Sequence, residues 1–402
     1  MADSPDNAPL RLSALEITNF RTFREATTIP LGRGDKGDAI ITFHGLNGSG
    51  KSNAIRALVL YFEGVLHLFA RDLNERPASI QDSDFSDHRK AIAVRAFCNV
   101  ALLSSKKLVR QPLDPEGKLE RLDELSEREK EVVRPLLVAP RGPGSRAFVH
   151  INARRQISWL PDTPGPSLLA PTLLVKLLGL RTSLRAEERR AWREFVDLVR
   201  EIPTLRNRSI DVEQPPGAPA RLVVEDEGRS VLTFDQLSSG EQQLITLFGG
   251  ILLSRASIIA IEEPEVNLDL DNQRLLRRWL EEWIKRGLAD QFIIESHSLA
   301  FDGPEVVRFE RHGDETKVSR VPSAAREGER AAVADKAKQK GAEERWVTPE
   351  GYTQLPEAMR KELGSEGKGA HLWFLKGAQT WEAWPEEQLD ELMGGSEDKS
   401  GG

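Results

Sequence analysis

Apolar and polar positions follow three patterns along the chain. From Leu10 to Phe23, Leu12, Leu15 and Ile17 alternate with more polar neighbours, as in a strand with one buried face. Ala39 to Phe43, Ile258 to Ile261 and Gln291 to Ile294 are short apolar runs, the pattern of strands buried on both faces of a parallel sheet. Between them lie stretches with helical spacing: Asn53 to about Phe62, Leu168 to Leu180, Ala186 to Ile202, Gln242 to Leu253 and Asn272 to Arg286. Trp192, Phe195, Val196 and Val199 mark a packing face in the third of these. Ala91 to Leu102 and Ala147 to Leu160 predict further strands, and Leu222 to Phe234 predicts a hairpin turning at Asp226-Glu227-Gly228. Lys106 to Leu137 is highly charged with a weak helical pattern, broken at Asp114-Pro115-Glu116-Gly117. Strands alternating with helices predict an α/β fold.

The second strand runs straight into Gly45-Leu46-Asn47-Gly48-Ser49-Gly50-Lys51-Ser52, followed by the helix opening at Asn53. This order of strand, GxxxxGKS and helix is the context of a phosphate-binding loop. Its glycines let backbone N–H groups turn inward around an anion, and the helix start adds partial positive charge. Lys51 is the candidate for the β- and γ-phosphates and Ser52 for Mg²⁺. The Ile258 run ends in Glu262-Glu263-Pro264-Glu265. Adjacent carboxylates at the end of a buried strand are costly without a metal, a proton or a positive group, so they point to a metal–nucleotide site. The Gln291 run ends similarly in Glu295-Ser296-His297-Ser298, which makes His297 a candidate because ligands of open α/β sheets bind at the carboxyl ends of strands. Leu237-Ser238-Ser239-Gly240-Glu241 is a polar turn opening a helix, and Gln81 lies in a polar loop.

Composition narrows this picture. The 402 residues suffice for one large and one smaller domain. A net charge of −7 gives no global footprint for nucleic acid, so DNA binding would need a local patch. A single cysteine, Cys98, excludes a disulfide framework and a cysteine-rich zinc site and suits a reducing cytoplasm. Met1 to Pro9 is polar and acidic, so no signal peptide is expected. No apolar run reaches the roughly 20 residues of a membrane helix, and no membrane partner is expected.

The motifs together resemble an ABC-type ATPase head of the RecF, SMC and OLD group. Asn19-Phe20-Arg21-Thr22-Phe23, the Walker A loop Gly45–Ser52, the signature Leu237–Glu241, the Walker B strand with Glu262-Glu263-Pro264-Glu265 and the switch residue His297 carry the resemblance, which covers about Leu10 to Phe309. It implies a P-loop NTPase fold with a compact helical insertion at about 103–214, inside an ATPase domain of 1–322. It also implies a homodimer, or a higher even oligomer, with two ATP molecules between protomers. The loop around Asn47, Gly48, Ser49, Gly50, Lys51, Ser52 and Asn53 would face Ser238, Ser239, Gly240 and Glu241 of the second copy. By the same resemblance, Glu263 positions or deprotonates the attacking water, and His297 contacts the γ-phosphate. Gln81 touches Mg²⁺ and water, Glu262 and Ser52 hold Mg²⁺, Asp269 lies at the dimer contact, and Arg21 approaches the nucleotide. Glu262 stands where aspartate is usual, a glutamate pair that leans towards the OLD group. The residues after Phe309 are too few and lack the acidic pattern for the Toprim nuclease domain of an OLD nuclease, so none is expected within them, nor is the long coiled coil of SMC proteins.

Beyond a charged linker at 323–344, four of the eight tryptophans cluster at Trp346, Trp373, Trp381 and Trp384. The order from Trp346 to Leu392 resembles the swapped-hairpin fold of AbrB and SpoVT, implying a small β-rich dimerisation domain at 345–395, with a disordered tail at 396–402. Glu350 and Tyr352 occupy its usual basic positions, which favours dimerisation over DNA binding. The sequence thus predicts an ATP-hydrolysing switch in DNA maintenance or anti-phage defence, controlling a nuclease or other effector in trans. The alternatives are an ATP-responsive DNA-binding regulator and a transporter ATPase subunit. The NFRTF pattern and the Glu-Pro-Glu after Walker B weigh against the transporter.

Overall fold

The computed structural model describes residues 9–33, 36–69, 82–99, 107–110, 121–122, 145–155, 171–225, 231–323, 372–376 and 381–385, with single positions between 128 and 137. The chain divides into two compact units, Met1–Glu327 and Gly328–Gly402.

The first unit is α/β. Its central sheet holds β5 (Ile40–His44), β9 (Phe148–Ile151), β13 (Ile258–Glu262), β14 (Gln291–Glu295), β15 (Glu305–His312) and β16 (Glu315–Pro322), in the order β16-β15-β5-β14-β13-β9. All neighbours are parallel except the β15–β16 hairpin at one edge. A second sheet is antiparallel throughout, in the order β2-β1-β6-β7-β8, from β1 (Leu12–Thr18), β2 (Thr27–Pro30), β6 (Ile92–Cys98), β7 (Lys107–Arg110) and β8 (Arg121–Leu122). β3 (Gly32–Arg33) and β4 (Lys36–Gly37) form a small hairpin. β10 (Ser209–Glu213), β11 (Arg221–Glu225) and β12 (Val231–Thr233) form a three-stranded antiparallel sheet.

Period-two alternation divides the central strands between two cores. Ile258, Ala260 and Ile293 face a cluster built with α1 (Lys51–Phe69) and the second sheet. Ile259, Ile261, Phe292 and Ile294 face a cluster built with α2 (Pro171–Thr182), α3 (Ala186–Arg200), α4 (Ser239–Ser254) and α5 (Leu270–Lys285). This explains the uninterrupted apolar runs: each strand is covered on both faces. Helical spacing fills the second core in the same way. Phe195 and Val199 of α3 are buried, and Trp192 and Val196 pack at its margin. Leu276, Leu280 and Trp283 line the inner stripe of α5, where Trp283 meets Phe248, Trp279 and Phe292.

Two expectations need correction. The segment at 103–214 is not a helical insertion throughout. Phe148–Ile151 pairs in parallel with Ile258–Ile261, because it is apolar enough to close the edge of the central sheet, and α2 and α3 pack beneath it. The weak helical pattern after Lys106 gives way at Lys107–Arg110 and Arg121–Leu122 to strands that extend the antiparallel sheet, where Ile92–Arg95 offers an unpaired edge. The expected hairpin at Leu222 to Phe234 forms between β11 and β12, and its turn lies outside the described residues.

In the second unit β17 (Leu372–Lys376) and β18 (Trp381–Pro385) form an antiparallel pair. The expected first strand of the swapped hairpin, near Trp346, lies outside the described residues, as do the linker and the tail. No helix among the described residues is long and apolar enough to cross a membrane.

Candidate functional site

β5, β14 and β13 lie side by side and end at one edge of the sheet, which brings the phosphate loop next to both acidic clusters. The loop is held from below. Thr316 of the edge hairpin, 1% exposed, donates from Oγ1 to the Ser49 carbonyl at 2.8 Å and lies 2.7 Å from Thr22 Oγ1. Gly50 has φ +108°, and a Cβ there would sit 2.5 Å from Thr316 Oγ1, so only glycine fits. Asn47 and Gly48 are exposed at the loop tip, whereas Ser49 and Lys51 are buried.

Lys51 Nζ donates to the carbonyls of Gly45 (2.9 Å) and Leu46 (3.1 Å) and lies 3.7 Å from Glu295 Oε1. Ser52 Oγ donates to the same Glu295 oxygen at 2.9 Å. Burial lowers the pKa of Lys51, partly offset by Glu295, Glu263 and Glu265. Burial also pushes Glu295 up, to about 7. The Ser52 hydrogen bond and Lys51 oppose the rise, and Glu262 and Glu263 add to it. Each member of this pair is thus drawn towards its neutral form, as expected of charges whose desolvation outweighs their attraction.

Glu262 is half-buried and tethered on the β9 side. Its Oε1 meets His150 Nε2 at 3.1 Å, and its Oε2 accepts from the Ala153 N–H at 3.2 Å. Burial raises its pKa, but the His150 bond and charge, the Ala153 N–H and Arg155 outweigh that and leave it lowered. Glu263 adopts φ +43°, a left-handed conformation rare outside glycine. Its backbone is fixed from two sides: its N–H donates to the Glu295 carbonyl at 2.8 Å, and its carbonyl accepts from Arg155 Nη2 at 2.8 Å. Arg155, 2% exposed, also donates to the Glu262 carbonyl at 2.8 Å and to Gln243 Oε1 of α4 at 2.9 Å and 2.6 Å. Burial lowers its pKa to about 10, against the pull of Glu265, Glu263 and Glu262. Glu265 clamps the turn after β14: its oxygens accept from Ser296 Oγ at 2.8 Å and from the His297 N–H at 2.6 Å, leaving the imidazole exposed.

Arg21 reaches the start of α1. Its Nε donates to Asp84 Oδ1 at 2.7 Å and its Nη1 to Asn53 Oδ1 at 3.1 Å. Asp84 therefore anchors the chain beside α1 shortly after Gln81, which itself lies outside the described residues. The signature stands apart. Among the described residues no hydrogen bond joins Ser238–Glu241 to Gly45–Ser52. Ser238 caps α4, and Glu241 returns a bond to the Ser238 N–H at 2.7 Å, a closed capping box. Burial raises the Glu241 pKa, but bonds from Thr204 and Ser238 and the nearby Arg208 leave it lowered. Ser238 and Ser239 are exposed. Gly240 presses on the next motif, since a Cβ there would lie 2.9 Å from the Asn267 carbonyl. Asp269 is exposed and caps α5 by accepting from the Asn272 N–H at 2.8 Å.

The motifs do not single out Glu295, Arg155, Glu265 or Thr316 as site residues. Glu295 and Glu265 carry a direct local signal, as acidic residues in the clusters that end β14 and β13. The residues fit a magnesium nucleotide. Glu295 Oε2 and Ser49 Oγ are buried without a hydrogen-bond partner beside Lys51 and Ser52. No group of three or more His, Cys, Asp or Glu among the described residues forms a metal cage. Mg²⁺ suits such a site, because it binds through one or two carboxylates with the remaining positions filled by phosphates and water.

Residues 150–302 match the family described as "AAA domain, putative AbiEii toxin, Type IV TA system". No curated protein matches the chain in sequence. Among solved structures, the chain is similar to an Smc head bound to the C-winged helix domain of ScpA (16% identity, 78% of this chain and 98% of that one, TM-score 0.49). It is also similar to an Smc head with an extended coiled coil bound to the C-terminal domain of ScpA, derived from Pyrococcus furiosus (14%, 81% and 100%, 0.49). A third is an SMC head domain from Thermotoga maritima (16%, 77% and 99%, 0.42). The strand order, the loop at Gly45–Ser52 and the matched AAA domain define an ATP-hydrolysing P-loop ATPase.

Proposed function

We propose that the chain is an ATP-driven switch of the RecF and OLD kind, in which two copies close on two ATP molecules and hydrolysis releases them. The observation that carries this reading is the contrast between the two anion-binding helix starts. At the loop, Lys51 is buried and meets Glu295 of its own chain, while Leu46, Asn47, Gly48 and Ser52 are open to solvent. Ser239 at the start of α4 faces solvent, with no hydrogen bond to that loop among the described residues. A two-fold dimer supplies the exposed start to the partner's nucleotide twice over.

In this dimer Lys51 holds the β- and γ-phosphates, and Ser239 and Gly240 of the second copy add backbone donors. Ser238 and Glu241 keep that helix start rigid, and Asp269 lies in the same contact. Ser52 and a carboxylate at the strand ends would hold Mg²⁺, which would supply neutralisation of phosphate charge. Glu263 orients the attacking water and accepts its proton. His297, on the turn that Glu265 clamps, contacts the γ-phosphate, with Arg21 approaching from the α1 side; Gln81 keeps the role with Mg²⁺ and water that the family resemblance implies. The switch acts in DNA maintenance or anti-phage defence through a nuclease or other effector on a separate chain. The toxin–antitoxin wording of the matching family supports the defence role. The second unit adds a dimer contact.

Glu263→Gln is expected to lower steady-state ATP hydrolysis by about 10³-fold while the ATP-dependent dimer persists in light scattering. A wild-type protein that neither hydrolyses ATP nor dimerises with it, with or without DNA, would sink the proposal.

A further inference from the structure

Two carboxylates compete for the metal position beside Ser52, and the sequence motif favours Glu262. The geometry points to the other. We propose that Glu295 is the carboxylate that binds the nucleotide's Mg²⁺ together with Ser52, and that Glu262 is a positioning residue held back from it. This rests on the reading of the site as one for magnesium ATP.

The sheet order comes first. β14 lies between β5, which carries the phosphate loop, and β13, which carries Glu262. Glu262 and Glu295 are register partners at the ends of adjacent parallel strands, so Glu295 is one strand nearer to the loop. Contact comes second. Ser52 Oγ and Lys51 Nζ both lie against Glu295 Oε1, at 2.9 Å and 3.7 Å, and neither has a hydrogen bond or ion pair to Glu262. Spare capacity comes third. The Glu295 side chain is only 5% exposed, and its Oε2 is buried with no donor, although a buried carboxylate oxygen without a partner is costly. Glu262, by contrast, has both oxygens engaged, by His150 and by the Ala153 N–H. A hard cation needing one or two carboxylate oxygens finds the free one on Glu295.

The test uses the full chain, a fluorescent ADP as the nucleotide and Mn²⁺ as the metal read by electron paramagnetic resonance. Wild type is expected to bind Mn²⁺ in the nucleotide complex. Glu295→Gln is expected to weaken that binding by roughly 10- to 100-fold, the range seen when groups that tune a metal are removed. Its nucleotide affinity in EDTA should be equal or higher, since a negative charge next to the phosphates is gone. Glu262→Gln is expected to change Mn²⁺ affinity less than Glu295→Gln does. If Glu295→Gln does not fold, Glu295→Asp keeps the buried charge but withdraws the oxygens, and should weaken Mn²⁺ in the same assay. Wild-type Mn²⁺ affinity in either Glu295 variant, or a larger loss in Glu262→Gln, overturns the assignment. Failure of wild type to bind the nucleotide at all would instead overturn the ATPase site on which it rests.

Discussion

At Lys51 the first turn of α1 is supported from within the chain, with Ser52 open to solvent. Thr316 supports the loop beneath it, Glu295 faces it, and Lys51 is 3% exposed. At Ser239 the first turn of α4 stands in solvent, and its stiffness comes from a capping box between Ser238 and Glu241. Both starts present backbone N–H groups to an anion. They differ in where the rest of the site comes from. The α1 start draws on three other segments of the same chain, at Arg21–Thr22, Glu295 and Thr316. The α4 start is closed by its own capping box, and among the described residues no hydrogen bond joins it to the phosphate loop, which suits a group that serves a partner. Arg155 ties α4 to the end of β13 on the acidic side of the site, since one guanidinium holds Gln243 of α4 and the carbonyls of Glu262 and Glu263.

The comparison can be broken hardest at that tie. Arg155→Met removes the donor to the buried Gln243 Oε1 and the side-chain donors to the Glu262 and Glu263 carbonyls. It is expected to cost about 3 kcal/mol of stability, read as a lower denaturation midpoint, with ATP hydrolysis lost in parallel. If the variant melts like wild type, α4 and the end of β13 are not coupled through it. Lys51→Ala should weaken nucleotide binding by the isolated protein on the order of a hundredfold, as expected when a buried charged contact is removed. Ser239→Asp sharpens the contrast with a smaller effect. A carboxylate in the first turn suits the helix, so melting and nucleotide binding should stay within about threefold or a fraction of a kcal/mol of wild type. The ATP-dependent dimer, which brings the partner's phosphates to that carboxylate, should weaken by roughly tenfold. Equal loss of nucleotide binding in the Lys51 and Ser239 variants would mean that both starts serve one bound nucleotide within a single chain.

The central strands were legible because burial on both faces writes a continuous apolar run, as at Ile258–Ile261 and Phe292–Ile294. The loop at Gly45–Ser52 was legible because its strand and helix flank it directly. Glu295 was visible as a residue but not as a neighbour of Ser52, because strand register between distant segments leaves no local pattern. Arg155 is also hidden: its partners are 88, 107 and 108 positions away. The β9 edge strand is legible as a strand but not its sheet, since four residues do not reveal which sheet they join. The β15–β16 hairpin has a turn signal, Gly313-Asp314 between two alternating runs, with Gly313 at φ +60°, but nothing local ties Thr316 to the phosphate loop it supports.

Glu263 sits where a glycine would be the more comfortable residue. Its left-handed backbone costs about 1 kcal/mol that glycine would not incur. Selection for heat tolerance alone would therefore move this position away from a carboxylate. On the role proposed for Glu263, a laboratory search scored only on folding would tend to arrive at a sturdier protein that has stopped turning over ATP. Glutamate at 263 is thus a residue the chain keeps against its own folding interest.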